Sequence, residues 1–280
     1  MAEPFGIAAG AVGIAAAFTA CVDCFDYVQH GRHFGRDYQT ELISLDCARL
    51  RLTRWGEAVN IHEDPKLSRP DASPSEVHTV QNALHQVLVL FADTEKISKT
   101  YRLEIKTRDD LTVLSPNDLD PTVFRLRNKI KELALRRQKG ASVVKTSSWA
   151  LYHRSQLKDL VNGITSLVDS IEKIFPAPEK KLALVQQETA AIHDKQALEL
   201  VESAAYGVDS LLLAAAKEAL TGHRYLNVTI KGKAQTGDSF SSDWRGKAQG
   251  ASHTYDGVLV SETGKALVGS KYGGKDFWDE

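Results

Sequence analysis

Proline is absent from the chain after Pro178. The 59 residues from Gly222 onward contain ten glycines instead. Each glycine inside a helix costs about 1 kcal/mol relative to alanine, so long helices are excluded from this C-terminal tail. Its apolar residues are sparse, and taken alone this composition is typical of a disordered segment.

Cysteine is also scarce. Cys21, Cys24 and Cys47 are too few and too clustered for a disulfide scaffold, which indicates a reducing, intracellular compartment. Cys21 and Cys24 have the spacing of a redox or zinc pair. No second Cys pair or His pair completes four metal ligands, so we expect no metal site.

The chain has no excess of charge of either sign. Its 35 Lys and Arg residues oppose 36 Asp and Glu residues, for a net charge of −1. This balance argues against a whole-protein electrostatic grip on nucleic acid. A basic run, 136–139, ends a predicted helix. Nucleic-acid or lipid contact is one interpretation, but a solvated helix end is the simpler one, because cations suit a helix C-terminus and no aromatic residues interleave the run.

Catalytic motifs are missing as well. The sequence contains neither Gly-x-Ser-x-Gly nor His-Glu-x-x-His, and its nine histidines are scattered. The segment 269–276 has the glycine spacing of a phosphate-binding loop, but Asp276 stands where a Ser or Thr would bind Mg²⁺. We therefore predict no catalytic residue and no cofactor, and an enzyme is the least supported class.

The N-terminus is notable for an uncharged stretch. No charge lies between Glu3 and Asp23, and these nineteen residues would just cross a hydrocarbon layer of roughly 30 Å. Gly6 and Gly10 have the small-xxx-small spacing that lets helices approach closely in lipid, and Gly13 extends the small surface. A buried first helix of a soluble bundle is the plainer interpretation. A helix that is buried at rest and able to insert into a membrane would be consistent with both interpretations.

The central part, from Asp37 to about Thr221, reads mostly as helix. Ser73 and Glu76 form a capping-box signal, and Asp120-Pro121 opens a further helix. The predicted elements are a helix from Asp37 to Val59, a helix after Ser73, a short β-hairpin within 103–114, a helix after Asp120, a helix over 155–175, and a last helix over 179–220 that breaks near Asp194 or Gly207.

The tail contains an internal repeat. Residues about 223–242 match about 253–274, first at an offset of 30 and then, after two extra residues near Glu262, at an offset of 32. Small or apolar residues alternate within each copy, which places them on one face of a strand. The predicted amyloid core comprises Val228, Ile230, Ala234, Thr236, Val258, Val260, Ala266 and Val268. The predicted corners are Gly232, Gly237, Gly264 and Gly269.

Two short copies cannot bury their apolar faces alone, since a stable solenoid needs about three repeats. Further molecules can supply the missing neighbours by stacking in register as a cross-β fibre. Lys233 and Lys265 would then oppose each other as like charges, so we expect both to face water.

Both ends resemble one fungal family. The tail resembles the prion-forming domain of the HET-s/HET-S heterokaryon-incompatibility proteins in its paired Lys-Ala-x-x-Gly segments and in the closing aromatic motif of Tyr272, Phe277 and Trp278. The N-terminus resembles that family's HeLo domain in Gly-Arg-His33-Phe-Gly-Arg-Asp-Tyr and in the Arg-Trp-Gly-Glu-Ala-Val segment at 54–59.

The resemblance implies an all-α HeLo domain over 1–221 and a prion-forming domain over 222–280, disordered as a monomer and a β-solenoid as amyloid. It implies that amyloid templating exposes the segment 5–22, which permeabilises membrane through Phe5, Gly6, Gly10, Gly13, Ile14 and Phe18. It places His33 in a regulatory loop. His33 and the uninterrupted apolar start resemble the killing variants of the family more than the non-killing ones, and whether this copy kills stays open. The implied partners are further copies in amyloid or in a HeLo dimer, an allelic variant, a NOD-like receptor with a matching N-terminal motif, and membrane lipid. The protein would be cytoplasmic at rest and at the cell membrane after activation.

A function of a different class stays open at this point. A soluble helical adaptor whose glycine-rich tail is a flexible binding arm, with no membrane activity, would share the composition and the helical pattern. That alternative predicts a tail that stays monomeric and protease-sensitive.

Overall fold

The chain forms two compact units. The structure, a computed structural model, describes residues 13–31, 38–104, 113–139, 149–151, 153–221, 223–226, 228–236, 239–240, 253–261, 264–268 and 271–272. Its contacts divide the chain into the units Met1–Leu213 and Ala214–Glu280. The division falls inside a helix that begins in the first unit and ends in the second.

The first unit is built from helices, as the periodicity predicts. The helices are α1 Ile14–Tyr27, α2 Gln39–Ala58, α3 Pro74–Glu104, α4 Pro121–Arg137, α5 Arg154–Ile174, α6 Pro178–Ala190, α7 Lys195–Ala205 and α8 Ser210–Thr221, with a 3-10 turn at Pro116–Asp118.

Helix ends follow local capping chemistry. The hydroxyl of Ser73 accepts from the Glu76 N–H at 3.2 Å, and a Glu76 carboxylate oxygen accepts from the Ser73 N–H at 2.8 Å. This reciprocal pair satisfies two of the donors that a helix N-terminus leaves open. The carboxylate of Asp120 caps α4 by accepting from the Thr122 N–H. Both predicted starts are confirmed, and so are the breaks, since α6, α7 and α8 are separated near Asp194 and Gly207.

Helix α2 is the centre of the unit. It packs against α1, α4, α5, α6 and α7, while α3 packs against α1 and α5. Leucine and isoleucine lie on more than one side of α2, as expected of a helix with neighbours all round. Trp55 near its end is fully buried, and its indole N–H donates to the Phe175 carbonyl at 3.0 Å.

One expectation for the irregular parts was wrong. The first strand of the hairpin predicted within 103–114 does not form as proposed, because Leu103 and Glu104 are good helix formers and continue α3; residues 105–112 lie outside the described residues. Val113 instead makes an antiparallel bridge with Gly31. A short parallel pair that the sequence analysis did not predict joins β1 (Val28–His30) to β2 (Trp149–Leu151).

The basic run at the end of α4 also needs correction. Arg136 is exposed as predicted, but Arg137 is buried. It pairs with Glu57 at 2.9 Å and with Glu188. The Arg137 charge is tolerated at this buried position because the buried Glu188 and the exposed Glu57 neutralise it.

The tail unit contains pairs of short parallel strands. The strands are β3 His223–Leu226, β4 Thr229–Ile230, β5 Lys233–Thr236, β6 Ser239–Phe240, β7 His253–Asp256, β8 Leu259–Val260, β9 Lys265–Val268 and β10 Lys271–Tyr272. β3 pairs with β7, β4 with β8, β5 with β9 and β6 with β10, all parallel. His223 lies opposite His253 and Lys233 opposite Lys265, so the register follows the offsets of 30 and 32 found in the sequence.

Candidate functional site: the seat of the first helix and the paired tail strands

Phe18 anchors α1 in the core. Its side chain is fully buried and lies directly against Gly56 of α2. A Cβ placed on Gly56 would lie 2.4 Å from Cζ of Phe18, so only glycine leaves room for the ring. The ring of His62 meets Phe18 edge to face, with 5.6 Å between centroids. Helix α1 therefore packs through Phe18 against the Arg-Trp-Gly-Glu segment of α2. We call the contact of Phe18 with Gly56 and His62 the seat of α1.

The following turns of α1 are held just as closely. Phe25 packs edge to face on Phe91 of α3, with centroids 5.0 Å apart. The Cys21 thiol donates to the Leu84 carbonyl at 3.1 Å. Burial raises the pKa of Cys21 and also that of Cys24. Protonated thiols in such surroundings pack as small apolar groups.

An ionic contact fixes the end of α1. Both carboxylate oxygens of Asp26 accept from the Arg49 guanidinium at 2.9 Å, and Lys131 Nζ lies 2.7 Å from the same carboxylate. Burial alone would raise the pKa of Asp26, but the hydrogen bonds and charges of Arg49 and Lys131 outweigh it and lower the pKa. The contact ties α1 to α2 and α4 with a bidentate Arg–carboxylate geometry.

A buried ionic cluster involves Arg54, two residues before Gly56 on α2. We use the name Arg54 cluster for Arg54, Arg137, Glu188 and Asp209. Arg54 is 1% exposed and Glu188 0%. The Arg54 guanidinium donates to Glu188 at 2.6 Å and to Asp209 at 2.7 Å, while Arg137 contacts Glu188. Burial would lower the pKa of Arg54, yet the charges of Asp209 and Glu188 raise it. Glu188 and Asp209 neutralise the two cations inside the cluster, and Arg137 also reaches the exposed Glu57 carboxylate, so neither buried arginine lacks an anionic partner.

Asp209 has a second role at the start of α8. Its Oδ1 accepts from the Leu212 N–H at 3.1 Å, so the same carboxylate caps α8 and neutralises Arg54. Helix α8 ends at Thr221, and β3 of the tail begins at His223. Helix α8 is thus the covalent link between a buried charge pair and the repeats.

Only some of the predicted membrane-insertion residues lie within the described part of the chain. Gly13 is the N-cap of α1, Ile14 its first residue and Phe18 its buried anchor. Phe5, Gly6 and Gly10 lie outside the described residues, as does His33. Within the described part of the chain, none of the helices combines the length and the apolarity that a bilayer crossing requires.

The predicted amyloid residues come together in pairs. Ile230 lies opposite Val260, Ala234 opposite Ala266 and Thr236 opposite Val268. The Val228 carbonyl accepts from the Leu259 N–H at 2.9 Å, one residue past Val258. Ile230 is buried, whereas Val260 is 44% exposed, so the second copy presents an apolar face to solvent.

Two of the four predicted corner glycines are described, and both lie between strands. Gly232 is in the bend between β4 and β5, and Gly264 precedes β9. A Cβ on Gly264 would lie 3.1 Å from the Ile230 carbonyl oxygen, a close approach that favours glycine. Lys233 and Lys265 are opposite each other and both exposed, as expected. Tyr272 ends β10, while Gly237, Gly269, Phe277 and Trp278 lie outside the described residues.

Comparison with known proteins identifies the first unit. A family model described as HeLo, prion-inhibition and propagation, matches residues 6–201. The chain belongs to the HeLo family. Heterokaryon incompatibility protein S of Podospora anserina is 35% identical over the full length of both chains, and heterokaryon incompatibility protein s of the same fungus is 34% identical over the full length of both. Both names describe incompatibility and not an enzyme.

Solved structures support the same fold. The HET-S N-terminal domain superposes with a TM-score of 0.72 at 38% identity, covering 78% of this chain and 98% of that one. A double mutant of the HET-s N-terminal domain gives a TM-score of 0.69 at 36% identity, covering 74% and 98%. The helical unit is therefore a HeLo domain, and the protein is a homologue of the S and s incompatibility proteins.

The sequence analysis missed the buried arginines of the HeLo domain. Arg49, Arg51 and Arg54 are all buried on α2. Arg51 pairs with Asp169 and Glu172 at 2.6 Å each. The available signal was the distribution of leucines on every side of α2, which leaves its arginines no solvent-facing side. Among the described residues, no group of three or more His, Cys, Asp or Glu side chains is placed to hold a metal ion.

Proposed function

We propose that this HeLo protein is a prion-forming cell-death effector of fungal heterokaryon incompatibility. In this account the tail repeats stack as a β-solenoid amyloid, and the stack forces the HeLo domain to release its N-terminal segment into membrane. The segment 5–22 acts as the membrane-active element, with 222–280 as the prion-forming domain and His33 in a regulatory loop.

The observation that carries the proposal is the parallel register of the two tail copies. The Leu259, Ser261 and Lys265 N–H groups donate to the Val228, Ile230 and Gly232 carbonyls at 2.9–3.2 Å. Within the described residues each tail sheet has two strands, so each strand keeps one edge without a strand neighbour. Such edges are templates for further chains. The exposed Leu259 and Val260, 68% and 44%, would be covered by the next molecule.

Release of the first helix would pass through α8. Ordering the tail as a stacked solenoid constrains the residues that follow Thr221 and pulls on α8. Displacing Asp209 would take one of its two carboxylate partners from the fully buried Arg54, which would then share Glu188 with Arg137, and this loss is costly in the core. Arg54 is two residues from Gly56, on which Phe18 rests. Loss of the cluster would therefore weaken the seat of α1.

The proposed partners follow from this mechanism. Self-association gives the amyloid and a HeLo dimer, and an allelic variant of the same family would enter the same stack. A NOD-like receptor carrying a matching N-terminal motif would supply the first template. The protein would be cytoplasmic at rest and would meet lipid at the cell membrane after activation.

A seeded leakage assay tests the proposal. Full-length protein is mixed with dye-loaded liposomes, and preformed fibres of the tail are added as seeds. We expect leakage only after seeding, and we expect Gly10→Asp to abolish leakage while fibres still form, because a charge in the segment opposes insertion. Leakage that Gly10→Asp leaves unchanged would reject the membrane role of the segment. A tail that stays monomeric with seeds would favour the adaptor alternative.

A further inference from the structure

A cavity of about 270 Å³ opens beside the end of α1. Its wall combines the aromatic side chains of Phe25 and Phe124 with charged groups from α1, α2 and α4. The volume lies just below the range of pockets that take drug-sized ligands, so the cavity suits a small group. It is separate from the Phe18 seat and from the Arg54 cluster.

The charges that line this cavity do not balance. Asp26 and Asp46 contribute two carboxylates, while Arg49, Arg127 and Lys131 contribute three cations. Arg127 donates to Asp46 at 2.6 Å, and Arg49 and Lys131 share Asp26. His30 also lines the wall, and burial lowers its pKa, so it adds no charge near neutral pH. Among the described lining residues one positive charge is left over.

Two of the three cations lie in poorly hydrated surroundings. Arg49 is only 3% exposed, and its Nε is buried without an acceptor among the described residues. Arg127 is mostly buried, whereas Lys131 is half-exposed and stands nearer to solvent. Excess charge in such surroundings is costly unless an anion accompanies it. A cation is disfavoured, because both carboxylates already accept from the basic side chains.

We propose that this cavity is a binding site for a phosphate group, held by Arg49, Arg127 and Lys131 and flanked by Phe25 and Phe124. Arg127 and Lys131 are four residues apart on α4 and therefore project from the same side. Arg49 approaches from α2. A tetrahedral oxyanion accepts hydrogen bonds from several directions. The Arg49 Nε–H and the ammonium of Lys131 offer donors beyond those that the carboxylates already use, whereas the aromatic walls suit a small organic portion. The phosphate belongs either to a soluble phosphate compound or to a lipid headgroup.

Calorimetric titration of the full-length chain with inorganic phosphate in chloride buffer tests the site. We expect saturable binding to the unaltered chain, weakened at least tenfold by Lys131→Gln. Lys129→Gln is the matched control, because Lys129 is on the same helix, pairs with Glu132 and does not line the cavity. Circular dichroism checks that both variants are folded. Arg127→Lys, which keeps the charge and removes the fork, serves as a second variant.

Vesicles distinguish the two sources of phosphate. Phosphatidate in phosphatidylcholine vesicles is compared with phosphatidylcholine alone by co-sedimentation. Binding that needs phosphatidate and that Lys131→Gln reduces identifies a headgroup, while phosphate binding without vesicle binding identifies a soluble ligand. The proposal is overturned if the unaltered chain does not bind phosphate, or if Lys131→Gln and Lys129→Gln bind it equally. None of these readouts needs fibres or leakage, so this proposal and the amyloid mechanism fail independently.

Discussion

Gly56 and Phe18 fit together so closely that the Cβ of any other residue at position 56 would lie 2.4 Å from the Phe18 ring. This contact joins the last turn of α2 to α1, whose first part overlaps the proposed membrane segment 5–22. Because Phe18 is fully buried, its ring has no free volume into which it can move.

Gly56→Ala tests the contact. Alanine is the better helix former, but overpacking a core costs about 1–3 kcal/mol, so we expect a lower free energy of unfolding in chemical denaturation and earlier leakage after seeding. Gly163→Ala is the matched control, since its Cβ would meet the flexible and partly exposed side chain of Leu90, whose nearest atom, a terminal methyl, is 2.8 Å away. Phe18→Leu should recover part of the loss in Gly56→Ala. Equal stability of the two alanine variants would contradict the proposed seat.

Removing the charge of Asp209 should destabilise the HeLo domain strongly. Breaking a buried ion pair costs about 3–5 kcal/mol, so Asp209→Asn should show a large fall in thermal midpoint. Asp194→Asn provides the comparison, because Asp194 also caps a helix, α7, but is exposed. Because asparagine caps a helix about as well as aspartate, this substitution should be nearly neutral. Similar effects of the two substitutions would mean that the Arg54 cluster contributes little beyond capping.

The Asp26 contact predicts a pH dependence with a defined sign. The pKa of Asp26 is lower in the folded chain than the unfolded value of about 3.9, so its contribution is present above that pH. The contribution is lost as the pH falls through the folded pKa. Urea titrations from pH 7 down to pH 3 should show Asp26→Asn destabilised at neutral pH, with the difference narrowing once the pH falls below about 3.9. A constant difference over this range would contradict the ion pair.

Like charges in register should slow assembly of the tail. Lys233 and Lys265 are directly opposite, so Lys265→Glu turns a repulsive pair into an attractive one. Cross-strand charge pairs contribute about 0.2–1 kcal/mol, and we expect faster fibre growth at low salt, with the gain fading as salt screens the charges. Lys231→Glu, in the bend outside the strand pairs, makes the same charge change as a control. An equal acceleration by both variants would point to net charge alone.

Local chemistry explains what the sequence could predict. The capping pair of Ser73 and Glu76 and the helix breaks near Asp194 and Gly207 depend on a few adjacent residues, so they can be read without the fold. The repeat offsets of 30 and 32 reappear as strand pairs because parallel pairing aligns equivalent side chains. The buried first helix follows from its uncharged composition.

Long-range contacts account for what was missed. Arg54 is separated from Asp209 by 155 residues, and neither residue is unusual in its local sequence. β1 and β2 have three residues each, too short to show a period. The mixed-charge cavity collects residues from α1, α2 and α4, so it appears only when the helices are packed.

The mass per unit length of full-length fibres tests the central claim most directly. If each molecule stacks its two tail copies as two successive layers of the solenoid, here called rungs, the fibre contains one 30.8 kDa chain for every two rungs. That is one chain per about 9.4 Å of fibre axis. Scanning transmission electron microscopy of unstained fibres measures this ratio. One chain per about 4.7 Å would mean that each molecule adds a single rung, and the pairing of the two copies within one chain would then be wrong for the fibre.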